Sequence, residues 1–225
     1  MRRHRRVLAA AILACLLAVS ASAARPPKKR GGGSGGASSF AYYLLTLSYA
    51  PDFCAQTPGA KDPRECGPGR HVGFVVHGLW PQGESGRGPE NCGSASPVSQ
   101  EIVRVTLNYI PTESLIQHEW AAHGTCTGLS SGDYFSLIRR ARDSVAIPDE
   151  LKAPTRELRL SPAEIAAKLA AANPTYPLGA FRVSCYRDGA LQEVRICLNK
   201  DLSPRVCGGS AGSCAAGILV LKPVR

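Results

Sequence analysis

Three of the five histidines fall in two short segments, His77-Gly78-Leu79-Trp80-Pro81 and His118-Glu119-Trp120-Ala121-Ala122-His123-Gly124-Thr125-Cys126. Both tryptophans of the chain lie in the same two segments. A lone histidine is ordinarily structural or simply exposed, but three gathered beside tryptophans point to a functional site. Imidazole titrates near pH 6.5, so two of them can hold opposite protonation states in mildly acidic to neutral solution. One then accepts a proton while the other donates one. Glu119 and His123, four residues apart, share a helix face, where the carboxylate is expected to orient its neighbour and favour the charged imidazolium. A zinc-protease helix is the competing pattern, and it needs two histidines four residues apart. His118 and His123 are five apart, about 140° around a helix, so the pattern calls for proton transfer without a metal or other cofactor.

The elements that would position these groups are partly readable. Residues 40–49 are rich in aromatic and β-favouring side chains and predict a first strand, and 72–76 a second that ends where His77 begins. Residues 99–109 fit either a helix or an extended segment. A helix is expected over 115–123, stopped by Gly124, and another from a cap at Asp133 to about 142. Ser161, Pro162 and Glu164 form a helix start of capping hydroxyl, first-turn proline and carboxylate, with the end near Asn173-Pro174. Residues 180–186, 191–198 and 218–221 read as strands. Helices in the middle and strands at both ends predict an α+β fold with a central, largely antiparallel sheet and packed helices.

Compartment follows from the N-terminus and the cysteines. Arg2, Arg3, Arg5 and Arg6 precede an apolar run from Val7 to Val19 and then Ala21-Ser22-Ala23. That run is too short to span a bilayer and fits a secretory signal over residues 1–23. Residues 24–39 read as a basic, Gly/Ser-rich flexible linker with nothing to bury. The folded domain then covers 40–225, with no other apolar stretch able to cross a membrane and no stable membrane association after cleavage. Removal of the signal takes Cys15 and leaves eight of the nine cysteines. An even number in an exported chain, without zinc-knuckle spacing, predicts four disulfides.

The two histidine segments resemble the two active-site segments of the ribonuclease T2 family, the secreted, base-nonspecific endoribonucleases. HGLWP together with HEWxxHGTC is a highly specific combination. Residues 43–54 (YLLTLSYAPDFC) resemble the family's first strand and first cysteine, Asp133-Tyr134-Phe135 the helix after the second segment, and Cys185 with Ile196-Cys197-Leu198 its C-terminal strands. The resemblance implies a ribonuclease T2-like α+β fold and metal-independent cleavage of single-stranded RNA. The 2′-hydroxyl attacks the adjacent phosphorus to give a 2′,3′-cyclic phosphate, which water opens to a 3′-phosphate. By motif position, His123 would be the base, His77 the acid, Glu119 a transition-state support, His118 a phosphate ligand and Trp80 a platform stacking on a base. The implied bridges are Cys54–Cys66, Cys92–Cys126, Cys185–Cys214 and Cys197–Cys207. The implied partner is RNA, held by a secreted or periplasmic monomer.

One departure stands out. The family usually carries lysine before the second catalytic histidine, and here that residue is Ala122. Loss of a positioned cation from a phosphoryl transition state costs about 2.7–4 kcal/mol, which predicts a slower enzyme. It also keeps open a rival, a catalytically weakened RNA-binding remnant of the same family. A second rival is a disulfide-stapled interaction protein whose histidines are structural.

Overall charge is a poor guide here. The chain holds 27 basic and 17 acidic residues, a net +10, which by itself suggests a polyanionic partner. Eight of the basic residues and none of the acidic ones precede position 40, leaving 19 against 17 in the folded part, a balance of +2. The case for RNA therefore rests on the histidine segments.

Overall fold

In the computed structural model, residues 39–56, 63–85, 87–212 and 214–224 are described. The signal expected over 1–23, and all but the last residue of the linker read at 24–39, lie outside the described residues. The sheet is organised around β1 (Tyr42–Tyr49), whose alternate residues Tyr43, Leu45, Leu47 and Tyr49 enter the main apolar core. It pairs antiparallel with β2 (Phe74–Gln82) on one side and β5 (Leu191–Leu198) on the other, and β5 pairs antiparallel with β4 (Phe181–Cys185). The order is β2-β1-β5-β4, which leaves β2 at an edge. A separate antiparallel pair joins β3 (Leu158–Leu160) to β6 (Leu219–Leu221).

Helices α1 (Ala50–Gln56) and α2 (Pro63–Cys66) follow β1, and α3 (Gln100–Thr106), α4 (Glu113–Ala122), α5 (Ser131–Asp143), α6 (Asp149–Lys152) and α7 (Pro162–Ala172) fill the middle of the chain. The stripes Tyr134, Leu137, Ile138 and Ala141 of α5 and Ile165 and Leu169 of α7 are buried at helical spacing. With Ile116 of α4 they cover one face of the sheet. The other face carries a small cluster of Tyr42, Leu44, Cys197, Cys207 and Ala211, with Trp80 packed against it. Disulfides join Cys54 to Cys66, Cys92 to Cys126, Cys185 to Cys214 and Cys197 to Cys207, the pairs the resemblance implies. The fold is α+β, with an antiparallel central sheet and four disulfides.

Several boundaries differ from the sequence expectation. Of residues 99–109, 100–106 form α3, capped by the Ser99 hydroxyl, and 107–109 turn. The second strand does not stop at Val76: it continues through His77, Trp80 and Pro81. Proline is tolerated because β2 is an edge strand, where a missing donor breaks no ladder on its free side. Asp133 is not the cap of α5. Ser130 caps it, accepting from the Asp133 amide. The α7 start is a capping box at Ser161, as the sequence reads. Helix α4 begins at the Thr112 cap and ends at Ala122, so His123 is its C-cap and not part of the helix.

Candidate active site

His77 is placed by an irregularity in β2. The register runs Thr46 to Gly78 and then Leu47 to Val76, so His77 is the extra residue of a bulge. A bulge breaks the two-residue alternation. It lets Val76 and Leu79, three apart, both reach the main core, while His77 and Trp80 turn to the opposite face. The buried Tyr134 hydroxyl donates to the Leu79 carbonyl at 3.0 Å and fixes the strand beyond the bulge.

Helix α4 supplies the second group. It packs on β2 and is held by Gln117, whose side-chain amide exchanges hydrogen bonds with both backbone groups of Val98. Trp120 donates to Ser96 and packs against Tyr134, so it serves the scaffold. Glu119 has no exposed surface. Its Oε2 accepts the Trp80 indole N–H at 2.9 Å, and its Oε1 lies 3.8 Å from His77 Nε2. This approach requires Gly78: a Cβ there would stand 1.9 Å from Glu119 Oε2 and 2.5 Å from Trp80 Nε1. His77, His123 and Trp80 form one aromatic group, with the Trp80 centroid 5.1 Å from His77 and 5.3 Å from His123. His118 is exposed, 6.4 Å from His123 between ring centroids.

The structure thus brings His77, Trp80, Glu119, His123 and His118 together, but it reverses one expected relation. Glu119 does not serve His123. The carboxylate turns to β2, where its oxygens meet Trp80 and His77, and His123 Nδ1 has no hydrogen-bond partner. His123 is nearly buried, and burial, followed by the charges of His118 and His77, brings its imidazole down from an ordinary 6.5 to about 4. Burial also pushes Glu119 up from an ordinary 4.5 to about 7, against the opposing influence of His77 and the Trp80 hydrogen bond. His77 moves the other way from His123. Burial acts to lower it, but a hydrogen bond to Glu193 and the charges of Glu119 and Glu193 outweigh this and raise it above its usual value.

Glu193 and its neighbour Arg195 are absent from the sequence reading. His77 Nδ1–H donates to Glu193 Oε1 at 2.7 Å, and Arg195 donates to Glu193 Oε2 through Nε and Nη2 at 2.9 and 2.7 Å. The guanidinium carbon also lies 5.7 Å from the centre of the Trp80 ring. A signal was present: two charged residues alternating with Val194 and Ile196 on a strand that is interior to the sheet. The sequence could not say which face they shared, or with what.

Among the described residues, three buried side-chain atoms lack a hydrogen-bond partner, and two belong here, Glu119 Oε1 and His123 Nδ1. Unpaired buried polar atoms are costly and concentrate where a group awaits chemistry. One ligand atom each from His118, Glu119 and His123 falls within 4.8 Å of the others. Proximity alone would suit a shared cation, but Glu119 is already engaged by Trp80 and faces His77. The arrangement can hold one charged and one neutral imidazole around a partly protonated carboxyl.

Comparison with known proteins identifies the family. The model of the ribonuclease T2 family matches residues 40–207. A ribonuclease of Aeromonas hydrophila is 34% identical over 166 residues, covering 72% of this chain and 73% of that one. A probable ribonuclease of Haemophilus influenzae is 33% identical over 121 residues, 48% of this chain and 44% of that one. Among solved structures, an RNase-related protein from Calystegia sepium superposes with a TM-score of 0.65 at 23% identity, over 83% of this chain and 98% of that one. A variant of RNase MC1 in complex with 5′-UMP gives 0.61 at 23% identity, over 80% and 97%.

Proposed function

The chain belongs to the ribonuclease T2 family, and on that premise we propose that it is an endoribonuclease cleaving single-stranded RNA through a 2′,3′-cyclic phosphate without a metal. The observation that carries this reading is the grouping of His77 and His123 against Trp80, with Glu119 buried beside them and His123 Nδ1 left without a partner. His123, neutral in mildly acidic solution, takes the proton of the 2′-hydroxyl. The oxygen attacks the adjacent phosphorus, and the bond to the 5′-oxygen breaks as His77 donates its proton to that leaving group. The step ends with a cyclic phosphate, a charged His123 and a neutral His77. Water reverses these roles: His77 takes its proton, His123 returns one to the departing 2′-oxygen, and a 3′-phosphate results. DNA lacks the 2′-hydroxyl and has no internal nucleophile to deprotonate.

The remaining residues act on charge and position. His118, exposed beside His123, holds the phosphate in this reading. Glu119, held partly protonated near neutral pH, adds less repulsion against the anionic phosphorane than an ordinary carboxylate would. Trp80 orients Glu119 and offers its partly exposed ring to a base. The four disulfides support an oxidising, extracytoplasmic location, and no helix among the described residues is long and apolar enough to cross a membrane.

The test is incubation of the purified protein with an oligoribonucleotide in EDTA, followed by identification of the product ends. Cyclic-phosphate and 3′-phosphate ends are expected. 5′-phosphate ends, or loss of activity with EDTA, would overturn the reading. Ala122 keeps the weakened remnant as the second reading, and RNA binding without any product would favour it.

A further inference from the structure

We propose that Glu193 and Arg195 are positioning residues for His77: Arg195 clamps one oxygen of Glu193 so that the other holds His77 Nδ1–H and turns Nε2 toward the leaving 5′-oxygen. The proposal rests on the reading of His77 as the general acid. Its geometry divides the carboxylate cleanly. Oε2 takes both Arg195 donors, at 2.9 and 2.7 Å, and the Ser184 hydroxyl at 3.4 Å. Oε1 takes His77 at 2.7 Å. Arg195 is itself tethered, because its Nη1 donates to the Ala211 carbonyl at 3.2 Å. The next residue, Gly212, has φ +80°, and a Cβ there would meet Nη1 at 2.3 Å. The clamp therefore runs from the C-terminal segment, through interior strand β5, to the bulge of β2.

A purely structural ion pair explains this less well. Glu193 is 3% exposed, and a buried ion pair is often no better for stability than apolar side chains of the same volume. What the pair achieves is directional. With Nδ1–H committed to a fixed carboxylate, the tautomer of the imidazole is set and only Nε2 can exchange a proton with substrate. Glu193 remains ionised because the hydrogen bond and charge of His77, with the charge of Arg195, outweigh its burial. The groups facing His77 are Glu193 and Arg195 from β5, Glu119 from α4, and His123 after it. Glu90 bears on Glu119.

The test compares wild type with Glu193→Gln, which preserves shape and removes the charge. Partners that orient metal-ligating histidines are worth about 10- to 100-fold, and the same scale is taken for His77. The expected result is a loss of that size in kcat with little change in KM, and an alkaline limb of the pH profile moved to lower pH. Arg195→Gln should also lower kcat, through the freed Glu193, but the Arg195 charge lowers His77, so the limb should not follow it to lower pH. Nitrogen-15 NMR of His77 in wild type is the second measurement and needs no variant. It should show Nδ1 protonated in both the charged and the neutral ring. An unchanged kcat and alkaline limb in a folded Glu193→Gln, or a neutral His77 carrying its proton on Nε2, would overturn the proposal. Absence of cyclic-phosphate product in wild type would instead sink the ribonuclease reading, and the NMR measurement would still decide the Glu193 contact.

Discussion

Glu119→Gln should move the balance of stability toward the variant as pH rises past neutral, while it weakens the site. Glu119 has no exposed surface, and its carboxyl rises from an ordinary 4.5 to about 7. The native state therefore holds this proton to higher pH than the unfolded chain does, and the stability it contributes below pH 4.5 is lost as pH rises through about 7. At about 1.4 kcal/mol for each tenfold change in proton affinity, the full loss is about 3 kcal/mol. The glutamine keeps an oxygen for the Trp80 indole and has no proton to lose. Any fixed cost of the substitution is the same at every pH, so the informative quantity is the change in the difference between the two proteins. Between pH 4 and pH 8 that difference should move by about 3 kcal/mol in favour of the variant, roughly 6–12 °C in Tm for a domain of this size. His77 adds to it with the same sign. Its raised value also loses stability as pH rises, and removing Glu119 reduces that loss. Thermal melts followed by circular dichroism at matched ionic strength would measure this. Parallel Tm curves for the two proteins from pH 4 to pH 8 would refute the reasoning.

Three further outcomes are expected. The profile of kcat/KM against pH should be bell-shaped, its acid limb near 4 from His123 and its alkaline limb above 6.5 from His77; a profile still rising beyond pH 9 counts against these roles. Gly78→Ala should drive Glu119 away from Trp80, because the added carbon would sit 1.9 Å from Glu119 Oε2. Displacements of about 1 Å in a site cost about a hundredfold in rate, so kcat should collapse while thermal melts still show a folded protein. Ala122→Lys should accelerate cleavage of an oligoribonucleotide, up to a hundredfold or more if a positioned cation is what the site lacks; an unchanged rate would show that the missing-cation argument is wrong.

Much of the site was legible because its chemistry is local in the chain. HGLWP and HEWxxHGTC each place several functional residue types within a few positions, and spacing alone argued against a zinc-protease helix. The capping box at Ser161 and the β-favouring run before Tyr49 were equally legible, since caps and alternation depend on near neighbours. Apart from the cap of α5, which is Ser130 and not Asp133, the errors came where a neighbour in space set the outcome. Strand β2 runs on through Pro81 because it lies at the edge of the sheet, a fact of topology that no window of sequence contains. Helix α4 stops at Ala122, one residue short of the expectation, and Glu119 faces His77 because Trp80 and His77 of β2 pack across it.

The sequence by itself therefore determined which residue types are present for proton transfer, the α+β class, and the even set of cysteines in the folded part. Tertiary structure decided how those residues are wired. The bulge that re-aims His77 arises only when β1 and β2 pair, and Glu119 meets Trp80 only because α4 crosses Gly78. The opposite shifts of His77 and His123 come from burial and from charges on other elements. Glu193 lies 116 positions from the imidazole it holds. A side chain's ionisation is set by what surrounds it in space, and contacts across such separations exist only once the chain has folded.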